Sequence, residues 1–320
     1  MYKRLIAWLV PEWMRPDDPA IRLILGRSAK TSWLQWAFYI FSAALLITTV
    51  ILGARYIPFI PSEVSRTEIL LNRLFIMVFL GQHLITLNIF SSALHVINEQ
   101  RRRRTWDMVR VTAGGSYQAI RAAWVATLFY RLSGWIGVFV YAPRLLMCGV
   151  LFFELLGFRG EYIDQIIGGA SPPIPQFLGI PLLALILVGT LLLPLTAIGV
   201  GVAVGLLSST FSRSHIILTL TQTVLTIGTI VLGMFGSIVA FYTNSSIAVN
   251  QGVDFWYTLT TTTVGDWGFG LLHAARLERL FLDVPYMGYL GVALMGIIAL
   301  HLVIIEGILR WAARRAQRVE

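Results

Sequence analysis

Apolar residues gather into six long runs separated by shorter polar stretches: Trp33–Tyr56, Leu70–Ile97, Leu132–Leu156, Phe177–Leu207, His215–Tyr242 and Tyr286–Ala312. Each exceeds the roughly 20 residues that carry an α-helix across about 30 Å of hydrocarbon. The pattern predicts an all-α polytopic membrane protein with six transmembrane helices. The third run contains Arg131, Arg144 and Pro143. Residues 121–131 read as a cytoplasmic approach to it, and Pro143 as a kink that a membrane helix tolerates.

Composition sharpens this reading. Length alone would suggest two soluble domains of about 150 residues each. Hydrophobic residues nevertheless make up 57% and charged residues 13%, about half the usual charged share. That balance excludes a soluble enzyme, a nucleic-acid-binding module and a secreted disulfide scaffold, the last also because Cys148 is the single cysteine. Near the N-terminus, the apolar stretch Leu5–Val10 ends at Pro11 and is too short for the core of a secretory signal.

The net charge of +9 reads as a topology signal. Basic residues crowd the segment before the first run, the connection between the second and third (Arg101–Arg104, Arg110, Arg121) and the tail (Arg310, Arg314, Arg315, Arg318). The intervening connections carry Glu63, Glu68, Glu161, Asp164, Asp254, Asp266 and Asp283. This alternation keeps phase with six spans and places both termini in the cytoplasm of a multi-pass plasma-membrane protein. Three parts follow: a cytoplasmic amphipathic segment 1–32, a transmembrane domain 33–312 and a basic tail 313–320.

The connection 98–120 holds the densest candidate chemistry. Its centre runs Glu99-Gln-Arg-Arg-Arg-Arg104-Thr105-Trp106-Asp107-Met108-Val109-Arg110-Val111-Thr112, followed by Gly114, Gly115 and Ser116. Thr105 is positioned to cap a short helix, with Asp107 in its first turn facing the positive end of the dipole. The glycine pair ends it, and Ser116 is placed to cap the next helix. Trp106 and Val109 give the short helix one apolar face. It serves equally as a seat for a soluble partner or as a lipid-facing charge cluster anchored by tryptophan.

These residues resemble a signature of the ABC type-2 exporter permeases, in which a Glu and basic residues precede Gly-Thr-aromatic-acidic and an aliphatic run ending in Thr-Pro. Asp18-Pro19-Ala20-Ile21 is similar to that family's Asn-Pro-aliphatic opening of a membrane-surface helix. Leu207-Ser208-Ser209-Thr210-Phe211-Ser212-Arg213 is similar to its short turn between spans four and five. Arg104 stands where the family has Gly, Ala113 where it has Pro, and Ile24 where it often has Glu. The resemblance implies a transmembrane permease subunit of an ATP-driven exporter, without enzymatic activity of its own. It implies a coupling helix within 99–115 and short outer-leaflet helices within 245–285. Glu99, Arg104, Thr105, Trp106, Asp107, Val109 and Arg110 would meet the ATPase, Trp106 as anchor. Two copies of a separate ATPase subunit would bind ATP and Mg, beside a second permease chain, identical or related.

The residues agree that this chain carries no catalytic machinery. A phosphate-binding loop needs Gly-x-x-x-x-Gly-Lys-Ser/Thr, and Gly26-Arg27-Ser28-Ala29-Lys30-Thr31 lacks both glycines in place. The five histidines make no metal-ligand pattern. Polar residues inside spans mark candidate transport paths. Gln82, His83, Thr86 and Asn88 fall in the second run, and Gln222, Thr226 and Thr229 in the fifth. Such stripes line a path or hold helices together. Gly201 and Gly205 permit close helix packing, within the chain or to a second copy. Two charge pairs, Arg144 with Glu154 and Glu306 with Arg310, read as structural. Finally, Thr263-Val264-Gly265 superficially resembles a potassium-channel filter, although Asp266-Trp267 displaces its second glycine. A non-transporting membrane scaffold is the remaining alternative.

Overall fold

The structure is a computed structural model, and it describes residues 18–25, 66–102, 104–157, 161–211 and 255–318, with 220, 223–224, 227–228 and 231. The first run, 33–56, lies outside the described residues, as does most of the fifth. Among the described residues every regular element is helical. In order they are α1 (Pro19–Leu25), α2 (Arg66–Arg102), α3 (Trp106–Thr112) and α4 (Ser116–Val125). Two π-helical stretches, Ala126–Arg131 and Gly137–Tyr141, flank α5 (Ser133–Ile136) and lead into α6 (Ala142–Gly157). Then come α7 (Glu161–Gly168), α8 (Gln176–Phe211), α9 (Phe255–Thr261), α10 (Ala274–Asp283) and α11 (Leu290–Arg318).

Among the described residues, three helical segments are long and apolar enough to cross a membrane: Ser133–Phe153, Gln176–Phe211 and Met287–Gln317. They coincide with the third, fourth and sixth runs. The Leu70–Ile97 run lies inside the 37-residue α2. Large apolar side chains stand exposed along these segments, including Phe152 and Phe153, Phe177 and Val188, and Leu302 and Val303. So much contiguous apolar surface is foreign to a soluble monomer and suits a membrane-embedded one.

Helix α8 is the central post, packed chiefly on α11 and α2. Its contacts use small residues. A Cβ on Gly205 would come within 2.7 Å of the Ala93 Cβ, and one on Gly201 within 3.3 Å of Ile89. The glycine pair therefore serves packing within the chain, against α2. Pro194 removes one backbone donor from the middle of α8. Donors from outside help satisfy that stretch: the Tyr141 hydroxyl donates to the Leu191 carbonyl at 3.0 Å, and the Trp124 indole to Gly199 at 2.9 Å.

Two main cores result. One gathers α1, α3, α4, the end of α2 and the last turns of α8 and α11, around Ile21, Ile24, Trp106, Ile120, Leu206 and Ala312. This is the basic end of the molecule. The other joins α7, α10 and the first turns of α8 and α11 around Ile166, Ile186, Phe281 and Leu290.

Candidate functional site: the helical corner at the basic end

Helix α2 ends in a Schellman turn. The Thr105 amide donates to the Gln100 carbonyl at 2.9 Å, and the Arg104 amide to Arg101 at 3.0 Å. Arg104 occupies the left-handed position with φ of 57°. The place where this sequence departs from Gly is thus one where the backbone favours Gly. Ten residues later α3 ends the same way, the Gly115 amide reaching Arg110 at 2.8 Å and Gly114 reaching Val111 at 3.1 Å. There Gly114 has φ of 74° without a side chain to strain. A short helix, 106–112, therefore lies within 99–115 and is closed by glycines at its C-terminal end only.

Its capping is not as the sequence predicts. The Thr105 hydroxyl turns back onto the Gln100 carbonyl and side-chain oxygen, and makes no cap bond to α3. Ser116 is likewise no cap, because Gly115 holds that position and Ser116 is buried as the first residue of α4. A larger correction concerns Trp106. It is 4% exposed and Val109 is 0% exposed, both packed in the protein's own core against α1 and α4. The apolar face that would anchor a partner is already covered. The open face carries Asp107, Met108 and Val111, the last 82% exposed. Arg110 lies 3.6 Å from Asp107, and Glu99 pairs with Arg102 at 2.8 Å.

Helix α1 wedges this corner from beneath. Asp18 caps it, its carboxylate accepting from the Ala20 and Ile21 amides at 2.8 and 3.2 Å. Its far-end carbonyls accept from two other helical stretches. The Gln100 amide reaches Leu23 and Ile24 at 3.4 Å, and an Arg131 Nη reaches Ile24 at 3.5 Å. Gln100 is the residue sequence reasoning missed: it joins α1, the end of α2 and Thr105, yet one glutamine in a basic run carries no signal of that.

A second tie connects α4 to α11. The Tyr117 hydroxyl donates to the Glu306 carboxylate, 2.7 and 2.8 Å from its two oxygens, while Arg310 holds Oε1 at 2.6 Å. The Glu306–Arg310 pair is the structural one expected. Burial first, and then the Glu306 carboxylate, raise the Tyr117 pKa, so the phenol remains a donor.

The interior stripes are only partly described. Gln82 is buried and Asn88 donates to its own helix at Leu84, 3.2 Å away. His83 and Thr86 lie on α2, but their side chains are outside the described set, and Gln222, Thr226 and Thr229 lie outside it altogether. The fifth-run half of the expected pairing thus lies outside the described residues.

At the end opposite the basic corner, Arg144 is completely buried. The Glu154 side chain expected to pair with it is outside the described set. Among the described residues its guanidinium donates to the carbonyls of Asp266 and Trp267 at 2.9 and 3.1 Å, and to Val140 at 3.0 Å. It also lies 5.6 Å from the Phe269 ring centroid. Phe269 is buried, whereas Trp256 stands exposed. The Asp266 carboxylate folds the following loop by accepting from Gly268 and Gly270 at 3.0 and 2.7 Å. Thr262–Asp266 is a π-helical turn, a backbone that does not line carbonyls up on one ion as an extended filter does.

Comparison with family models, curated proteins and solved structures gives no match to the chain.

Proposed function

We propose that the chain is the transmembrane permease subunit of an ATP-driven exporter. It has six spans and both termini in the cytoplasm, and works with a second permease chain and two copies of a separate ATPase subunit that binds ATP and Mg. The observation that supports this is the corner around α3. A seven-residue helix with a Schellman turn before and after it is covered on one side by α1 and α4 and open on the other. Such a helix transmits a push as a rigid body, because its own bonds and its packing resist local deformation. Through α4 and the Tyr117–Glu306 tie, displacement reaches α11, and two packings of the bundle alternate access. The partner's cleft meets Asp107, Met108 and Val111, with Trp106 holding the helix from behind.

The test is purification of the tagged full-length chain from its native membranes. An ATPase subunit with a phosphate-binding loop is expected to accompany it in equal amount. Met108→Asp combined with Val111→Asp is expected to weaken that association about thirtyfold, as loss of buried contacts worth about 2 kcal/mol does. The double variant should still insert in the membrane. Absence of any nucleotide-hydrolysing partner, or its full retention by the variant, would sink the proposal.

A further inference from the structure

One face of α11 changes character along its length in a fixed order. Leu300, Val303 and Ile304 are exposed apolar residues. Gly307 follows on the same side by helical spacing, and a Cβ there would meet nothing within 4 Å. One turn further comes Trp311, 55% exposed, then exposed Arg314 and half-buried Arg315. The opposite face, Ala312, Ala313 and Ala316, is buried in the core. The sequence apolar stripe, open dent, indole, guanidinium matches the depth profile of a phospholipid from acyl chain to phosphate.

The neighbouring helix completes the site. Phe211, at the end of α8, meets Trp311 edge to face with centroids 6.0 Å apart, and is itself half exposed. The Arg315 guanidinium lies over the Phe211 ring at 5.1 Å. That stacking holds the fork in place, yet Nε of Arg315 is buried without a hydrogen-bond acceptor. Arg310 is spoken for by Glu306. Among the described residues, neither Arg314 nor Arg315 has a carboxylate in ion-pair reach. Two cations at one helix end, one pre-oriented by an aromatic ring, have no anion among the described residues to match their geometry.

We propose that Arg314, Arg315, Trp311 and Phe211 form a headgroup site for one anionic phospholipid of the cytoplasmic leaflet. Its phosphodiester would take the arginine fork, and one acyl chain would lie along Leu300–Gly307. The site is independent of what the chain transports, and of whether it transports. Arginine rather than lysine is called for, because only the planar guanidinium both stacks on Phe211 and binds two phosphate oxygens side by side.

The test uses the full-length chain in a neutral detergent, titrated with phosphatidylglycerol, phosphatidylcholine or inorganic phosphate. Thermal unfolding and native mass spectrometry provide the readouts. Phosphatidylglycerol is expected to raise the unfolding midpoint and to leave one retained lipid per chain. Arg315→Gln should weaken its apparent affinity about tenfold, as loss of charge-assisted bonds does. Arg315→Lys should weaken it roughly threefold although charge is kept, and Phe211→Leu should resemble the lysine variant. Arg102→Gln, at another basic helix end, should leave it unchanged. Equal stabilisation by phosphatidylcholine would reduce the site to acyl-chain contact and overturn the proposal. So would an unaltered response in Arg315→Lys, or full reproduction of the effect by inorganic phosphate.

Discussion

Replacing Arg104 by Gly tests the geometry of the corner with a single change. Arg104 is held at φ of 57°, while its exposed side chain makes no ion pair among the described residues. An L-residue in the left-handed region costs roughly 1–2 kcal/mol. Glycine removes that strain but adds up to about 1 kcal/mol of chain entropy to the unfolded state. The balance is a stabilisation of about 0.5–1 kcal/mol, localised at the junction of α2 and α3. Hydrogen exchange reports it directly, because the Thr105 amide is bonded to Gln100 across this turn and local opening sets its protection. In Arg104→Gly that amide should exchange about two- to fivefold more slowly. Gly114→Ala makes the mirror test at the other end of α3. A Cβ there touches nothing within 4 Å, so only backbone strain is added, and Gly115 should exchange faster. Arg104→Ala controls for loss of the side chain. Faster exchange in Arg104→Gly would refute the reasoning, since the arginine side chain would then stabilise the turn by more than its backbone costs.

Three further outcomes are expected. Trp106→Ala empties a buried site and should cost about 3–5 kcal/mol, read as sharply increased proteolysis at the Arg101–Arg110 corner with insertion unchanged; unaltered cleavage would contradict an inward indole. Gly205→Leu cannot fit beside Ala93 without separating α8 from α2, and should destabilise by about 1–3 kcal/mol, whereas a neutral result in a thermal melt would mean the two helices do not touch there. Burial, then Arg276 and Arg279, lower the His273 pKa to about 4. Its folded form therefore takes up protons later than the unfolded chain. Stability is whole above about pH 6.5 and lost as pH falls toward 4, on the order of 3 kcal/mol at most. His273→Gln should flatten the melting temperature over that window, and an unchanged slope would place the acid sensitivity elsewhere.

The third, fourth and sixth spans were legible in the sequence because a span needs only length and apolarity, and the end of α3 because two adjacent glycines have few other uses. The side of α3 that faces inward was not. Periodicity shows that Trp106 and Val109 share a face, but the cover for that face is α1, some eighty residues earlier in the chain. Thr105 failed as a cap for a definite reason: the link between α2 and α3 is so short that one residue closes the first helix while opening the second. Gln100 claims its hydroxyl first. Arg144 was read as pairing with Glu154, yet two of its described partners are backbone carbonyls more than a hundred residues later, which no residue-type pattern announces. The polar stripe of the second run remained half legible, since its expected counterpart falls outside the described residues.

Helix α1 also sets an order on biogenesis. It is one of the first parts of the described chain to be synthesised, yet the groups that hold it come later. Arg131, the farthest of them, lies 107 positions beyond Ile24. At ordinary translation rates of about 5–20 residues per second, that interval lasts roughly 5–20 seconds. A seven-residue helix has no stability of its own, so Ile21 and Ile24 must wait at a membrane surface or a chaperone until their cleft exists. The wedge therefore cannot lock until residue 131 has been made, and the corner that carries α3 becomes rigid only when it does.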